Sequence, residues 1–227
     1  MAITDEVILQ IKNMIVSGRL KPGDRLLPEK ELSEELGVSR NSLREAIKAL
    51  VVFRVLDVRQ GDGTYVTSLE PDILLEAVSF VVDLHDDASI LDLFAVRRIL
   101  EPAAAAQAAL QISSDEITEL HTLMHQIDES SSIEQLVEHD LAFHHQIVAA
   151  AGNGYLTSLL DSLSSSTVRA RVWRGLTQDK AIERTLSEHK AILAAIEAKD
   201  TELAKALTTV HVSGVEQWLR LALDSSK

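Results

Sequence analysis

EKELSEELGVSRNSLREAIKALVVFRVLDVRQGDGTYV, residues 29–66, decides the fold of the first part of this 227-residue chain. Leu32 and Leu36 lie four apart among charged neighbours, which predicts a short helix over 29–36. Gly37 follows where a left-handed residue ends a helix. Ser39 can cap the next helix. Leu43, Ile47 and Leu50 recur at spacings of four and three and form a buried stripe. Arg40, Asn41, Arg44 and Lys48 fall off that stripe. After Phe53, Val55, Leu56 and Val58 favour strand, Gln60-Gly61-Asp62-Gly63 supplies a turn, and Thr64-Tyr65-Val66 resumes the strand. Helix, turn, helix and hairpin in this order predict a winged helix-turn-helix, which lays its second helix in the DNA major groove.

Arg40 and Arg44 are one turn apart near the N-terminal end of that second helix, the end that reaches base edges. A guanidinium there can pair with guanine O6 and N7. On an arbitrary amphipathic helix the same arginines would be solvated surface; the turn and wing around them favour the DNA reading. Arg59 and the glycine turn can touch phosphate or minor groove, or be a plain connecting hairpin.

Working outward, residues 5–16 place Val7, Ile8, Ile11, Met14 and Ile15 on one helical face, which should pack against the helix-turn-helix. Gly18 to Asp24 reads as a loop. Residues 67–72 form a polar linker. The division expected is 1–70 for the winged module and 71–227 for an all-helical bundle of six or seven helices, so the chain is mainly α. Helices are expected at about 71–84, 90–110, 113 to about 127, 133–151, 156–173, 181–198 and 201–223. Ser113 and Glu116 form a capping box. Asn153 is expected to end the helix before it.

The formal net charge of −13 divides unevenly: residues 1–66 hold 10 basic and 10 acidic side chains, and residues 67–227 hold 12 and 25. The acidic second part repels phosphate and keeps non-specific DNA affinity low. There is no cysteine, so disulfides and thiolate metal sites are excluded. No run of apolar residues reaches membrane-spanning length and no signal-peptide pattern opens the chain, so a cytoplasmic protein without a membrane partner is expected.

The second part carries its chemistry in histidines. Asp140 and His144 are four apart and project from one helical face. His189 and His211 are 22 residues apart, which suits antiparallel neighbours joined at Lys199-Asp200. One carboxylate and three imidazoles suit a divalent first-row ion, zinc or nickel foremost, with bonds of ~2.0–2.2 Å. Spacing alone favours buried, hydrogen-bonded histidines, since no short motif joins all four residues. A metal-dependent hydrolase is the rival reading, but Glu188 is turned about 100° from His189, and no other motif supplies a base.

Two resemblances sharpen these readings. Gly18-Arg19-Leu20-Lys21-Pro22-Gly23-Asp24-Arg25-Leu26, Glu29-Lys30-Glu31-Leu32, Val38-Ser39-Arg40, Leu43-Arg44-Glu45-Ala46 and Gly61-Asp62-Gly63-Thr64 resemble the GntR family of bacterial transcription regulators. The resemblance implies DNA contacts from Lys30, Arg40 and Arg44, to which Asn41 is added by its position, and a minor-groove approach near Gly63. The family usually has glycine where this chain has Arg54, so either the turn is rebuilt or Arg54 accepts a positive φ.

Val96-Arg97-Arg98-Ile99-Leu100-Glu101-Pro102, Asp140-Leu141-Ala142-Phe143-His144, Ala151-Gly152-Asn153, Glu188-His189-Lys190-Ala191-Ile192 and His211 resemble the FCD class of that family. This implies a metal on Asp140, His144, His189 and His211, and a small carboxylate metabolite as effector. Arg97 is the candidate to hold the carboxylate, against an Arg97–Glu101 surface pair. Of Arg169, Arg171 and Arg174, at least one is expected to face the cavity, with Arg171 the candidate. The function implied is a repressor, homodimeric on a palindromic operator, that releases DNA on binding the metabolite. A purely structural metal without an effector is the alternative.

Overall fold

The computed structural model describes residues 3–71 and 88–225. The helix expected at about 71–84 and the His85-Asp86-Asp87 break lie outside them. The chain divides into two compact units, residues 1–77 and 78–227.

In the first unit, α1 (Ile3–Val16), α2 (Glu29–Leu36) and α3 (Arg40–Val52) precede an antiparallel hairpin of β1 (Leu56–Arg59) and β2 (Gly63–Val66). Val7 and Ile11 of α1 meet Leu32 of α2, and Leu43, Ile47 and Leu50 of α3, in one apolar core closed by Leu56 and Val66. Apolar burial of this kind, at about 25 cal/mol per Å², holds the unit together. Gly37 takes φ 68 after α2. The Ser39 side chain accepts from Ser42 N at 3.0 Å and starts α3. The pattern of residues 29–66 is thus realised element by element.

One expectation needs amending. The segment read as a loop before residue 25 pairs with the wing: Val66 N donates to Asp24 O at 2.9 Å, Leu26 N to Thr64 O at 2.8 Å, and Arg25 bridges Tyr65. A single paired residue leaves no alternation to read.

Arg54 adopts φ 57. Val55 N reaches Leu50 O at 2.9 Å and Arg54 N reaches Val51 O at 3.0 Å, closing a Schellman-type end to α3. The Thr67 hydroxyl then donates to Arg54 O at 2.7 Å. The turn keeps its shape, and arginine bears the left-handed strain.

The second unit holds α4 (Ala88–Gln111), α5 (Ser114–Met124), α6 (Ile133–Ala150), α7 (Gly154–Ser166), α8 (Val168–Thr177), α9 (Ala181–Glu197) and α10 (Thr201–Ser225). Its largest apolar cluster joins α4, α5, α6, α9 and α10 through residues such as Ala108, Leu120, Phe143, Ile196 and Ala204. The Ser113–Glu116 capping box forms, and Ser132 with Gln135 makes a second one.

Two expectations are corrected. Asn153 does not end α6; Gly152 does so at φ 72, and the Asn153 side chain caps α7 by accepting from Leu156 N at 3.2 Å. The single helix expected over 156–173 is two helices. Thr167 N and Oγ1 both donate to Ser164 O, at 3.1 and 2.8 Å, and this local bonding interrupts the run. Among the described residues, no helix is long and apolar enough to cross a membrane.

Replacing Arg54 by glycine removes the left-handed penalty while giving back some unfolded-state entropy. Arg54→Gly should stabilise the first unit by about 1 kcal/mol against urea, and Arg54→Val should destabilise it.

Candidate functional site

The first unit presents a polar face on α3. Arg40, Asn41 and Arg44 are exposed, as is Lys30 on α2. Lys30 and Arg40 carry no ion pair among the described residues. Arg44 Nε donates to Glu29 Oε2 at 2.7 Å, so this guanidinium is held by a carboxylate that a nucleic acid would have to displace. Gly63 opens β2. A Cβ there would lie 2.5 Å from Arg25 Nε, and the Arg25 guanidinium donates to the Asp62 carbonyl beside it. A side chain at this position would displace the exposed Arg25 guanidinium.

The second unit buries a polar centre. The ligand atoms of Asp140, His144, His189 and His211 all lie within 4.8 Å of one another. Asp140 Oδ1 is 3.2 Å from His189 Nε2, 3.7 Å from His144 Nε2 and 3.8 Å from His211 Nε2. His144 Nε2 and His211 Nε2 are 3.2 Å apart. Such separations suit donors that share one ion with bonds of ~2.0–2.2 Å. Helical spacing brings Asp140 and His144 together on α6, while α9 and α10 supply the other two imidazoles across the bundle.

The outer nitrogens are held by carboxylates. His144 Nδ1 lies 2.8 Å from Glu101 Oε2, and His211 Nδ1 lies 2.7 Å from Glu188 Oε2. The His211 Nδ1–Glu188 contact is a hydrogen bond, whereas His144 Nδ1 and Glu101 Oε2 are at ion-pair distance without the alignment of one; in both rings Nε2 is left to face Asp140. Neither of His189's nitrogens makes a hydrogen bond: its Nε2 approaches Asp140 Oδ1 without the alignment of one. His189 is fully buried, with its ring stacked 4.0 Å from Phe143. An imidazole with no partner for either nitrogen is costly to bury and fits an ion at Nε2. His139 stacks on His189 with ring centroids 5.8 Å apart, and His145 pairs at the surface with Asp161. Both stand outside the cluster.

The electrostatics favour the ligating protonation states of Asp140, His189 and His211, and hold a proton on His144 that an ion would have to displace. Burial pushes the Asp140 carboxyl up, but Arg171 and the neighbouring histidines outweigh it and hold the group well below the carboxylate range. Burial dominates at His189 and pushes its pKa down to about 3, keeping the ring neutral. Burial likewise lowers His211, against the pull of Glu188. At His144 burial acts downward, but Glu101 and Asp140 prevail and raise it.

Arg97, Arg171 and Arg174 line a small cavity beside this centre, with Asp140 and His211 in its wall; its free volume is about 20 Å³, room for about one water molecule. Arg97 Nε donates to Glu101 Oε1 at 2.5 Å, and its Nη1 reaches the Thr167 hydroxyl at 3.3 Å. The Arg97–Glu101 pair is therefore real, yet both residues are only 2% exposed, so it is not the surface pair that helical spacing allows. Arg171 Nη1 donates to Asp140 Oδ2 at 2.5 Å. Arg174 also lines the cavity, while Arg169 is exposed. Sequence reasoning left Arg174 in an unresolved cluster; its three-residue spacing from Arg171 was the available signal. It also missed Glu188, whose turn away from His189 directs it to His211 instead.

Comparison with known proteins places both parts. Residues 3–66 match the family model for bacterial regulatory proteins of the gntR family, and residues 92–214 match the FCD domain model. The chain belongs to the GntR family and carries an FCD domain. Similar proteins include the HTH-type transcriptional regulator LutR of Bacillus subtilis, 29% identical over 91% of this chain and 96% of that protein. The galactonate operon transcriptional repressor of Escherichia coli is 29% identical over 92% and 94%, and its Uxu operon transcriptional regulator 32% over 94% and 85%. Among solved structures, Streptococcus agalactiae GntR aligns with a TM-score of 0.65 at 26% identity, covering 94% of this chain and 99% of that one. This GntR-family protein is accordingly a DNA-binding transcriptional regulator and not an enzyme.

Glu101 links Arg97 to His144 in the buried centre. Breaking a buried ion pair leaves the partner's charge uncompensated. Glu101→Gln should therefore cost roughly 3–5 kcal/mol of stability in the helical unit, read by chemical denaturation. A loss below 1 kcal/mol would show that Arg97 finds other compensation.

Proposed function

We propose that this GntR-family regulator is a repressor whose helical unit binds a divalent metal, zinc or nickel foremost, and a small carboxylate that controls operator binding. The observation that carries the reading is the four-donor cluster of Asp140, His144, His189 and His211 beside an arginine-lined cavity. A bound metal would supply a Lewis-acidic centre able to accept a carboxylate oxygen. The chain's own residues do the rest. Glu101 and Glu188 orient two imidazoles, Arg171 holds Asp140, and Arg97 and Arg171 face the cavity as cations for an acid's remaining oxygens. The relative named for the galactonate operon directs attention to sugar acids.

In the same reading Lys30, Arg40, Asn41, Arg44 and Gly63 meet DNA. Arg40 and Arg44 read base edges, Lys30 neutralises phosphate, and Gly63 brings wing backbone close. A homodimer would set two recognition helices on a palindromic site. The acid can release DNA only by binding more tightly to the state that binds DNA poorly.

Two experiments test this. A thermal-shift screen of small carboxylic acids should find one that raises the melting temperature of metal-loaded protein and has no effect after chelation. If chelation alone destabilises the fold and no acid shifts it, the metal is structural and the effector reading fails. In fluorescence anisotropy, Arg40→Ala should weaken binding to a selected DNA site by ~1–3 kcal/mol with metal content unchanged; wild-type affinity would remove Arg40 from the interface.

A further inference from the structure

Charge compensation differs among the cavity arginines. Arg97 has Glu101 and Arg171 has Asp140. Arg174 is 6% exposed and has no carboxylate within ion-pair distance among the described residues. Its Nε donates to the neutral Gln178 Oε1 at 2.5 Å, and its Nη2 is sealed from solvent with no acceptor at all. Arg171 Nη2 is in the same condition. Residues 171 and 174 are three apart on α8, so their side chains lie about 5–6 Å apart on one face. Both line the cavity, whose other walls include Phe94, Val212 and Val215. A buried guanidinium without a directly bonded anion is expensive; Asp140 in the wall and Glu188 act on Arg174 only from beyond ion-pair distance.

We propose that Arg174 is a second anion subsite, so that the effector carries two negatively charged groups: a carboxylate at the Asp140–Arg171 end and a second anion at Arg174. This rests on the reading that the cavity takes a carboxylate, and it narrows the class to dicarboxylates and phosphorylated acids. Phe94, Val212 and Val215 in the wall offer apolar contact to a short carbon chain. A single carboxylate would satisfy one end and leave Arg174 as it stands in the ligand-free protein.

The test uses full-length, metal-loaded protein and matched acids: lactate against malate, and galactonate against galactarate and 6-phosphogluconate. Affinity is read by calorimetry and by tryptophan fluorescence. Trp173 lies between the two arginines on α8 and packs against Trp218 with ring centroids 5.1 Å apart. The expected result is that a dianionic member binds at least about tenfold more tightly than its monoanionic partner. Arg174→Gln should abolish that ratio and leave the monoanion's affinity unchanged. The variant without ligand should melt no lower than wild type, because a buried uncompensated cation has been removed. The carboxylate-versus-phosphate comparison names the second anion.

Equal affinity for mono- and dianionic acids in wild type, or an unchanged ratio in Arg174→Gln, overturns the subsite and leaves the carboxylate reading standing. Failure of all five acids to bind overturns both. A variant that melts well below wild type and keeps the ratio shows Arg174 to be structural.

Discussion

Asp140 is the constraint on which the helical unit turns. Its carboxylate is buried, and burial by itself would neutralise it. The Arg171 guanidinium at Oδ2 keeps it ionised, and Oδ1 is thereby left to face three imidazole nitrogens. Remove that ion pair and the reason for the others weakens. Glu101 would face His144 without a competing anion inside the ring, and Arg171 would join Arg174 as a second uncompensated cation. The centre is a mutually compensating set, and partly satisfied sets of this kind are worse than an apolar core.

The way the set is distributed over the fold matters for regulation. Glu101 and Arg97 stand on α4, Asp140 and His144 on α6, Arg171 and Arg174 on α8, Glu188 and His189 on α9, and His211 on α10. Any ligand that alters the balance of charge here acts on five helices at once. The α7–α8 break is tied in as well, because the Thr167 hydroxyl that interrupts the helix also receives Arg97. A site that joins so many elements can bias a two-state structure without large local motion. The winged unit, by contrast, is held by ordinary apolar packing and leaves its candidate DNA-contacting side chains exposed.

The sequence made the local patterns legible and the long-range partners only in part. Residues 29–66 could be read almost completely, since spacing, Gly37 and the Ser39 cap each act within a few residues. Asp140 and His144 were readable for the same reason, and His189 and His211 followed from resemblance and from the antiparallel spacing. The Thr167 break was not, because Ser and Thr are compatible with a helix until their hydroxyls turn back on the backbone. Asn153 was misread because an asparagine after a glycine stop serves the following helix as readily as the preceding one. Glu188 and Arg174 needed the fold: their roles depend on which neighbouring helix packs against them, and no periodicity records that.

The central claim is that metal and acid together control DNA binding. The most direct measurement is fluorescence anisotropy of a labelled operator fragment, titrated with a stabilising acid, on metal-loaded and chelator-treated protein side by side. The account predicts that the acid releases DNA from the metal-loaded protein only, and that metal-loaded, acid-free protein binds DNA. Release of equal extent with and without metal, or DNA affinity indifferent to every acid that binds, would contradict it.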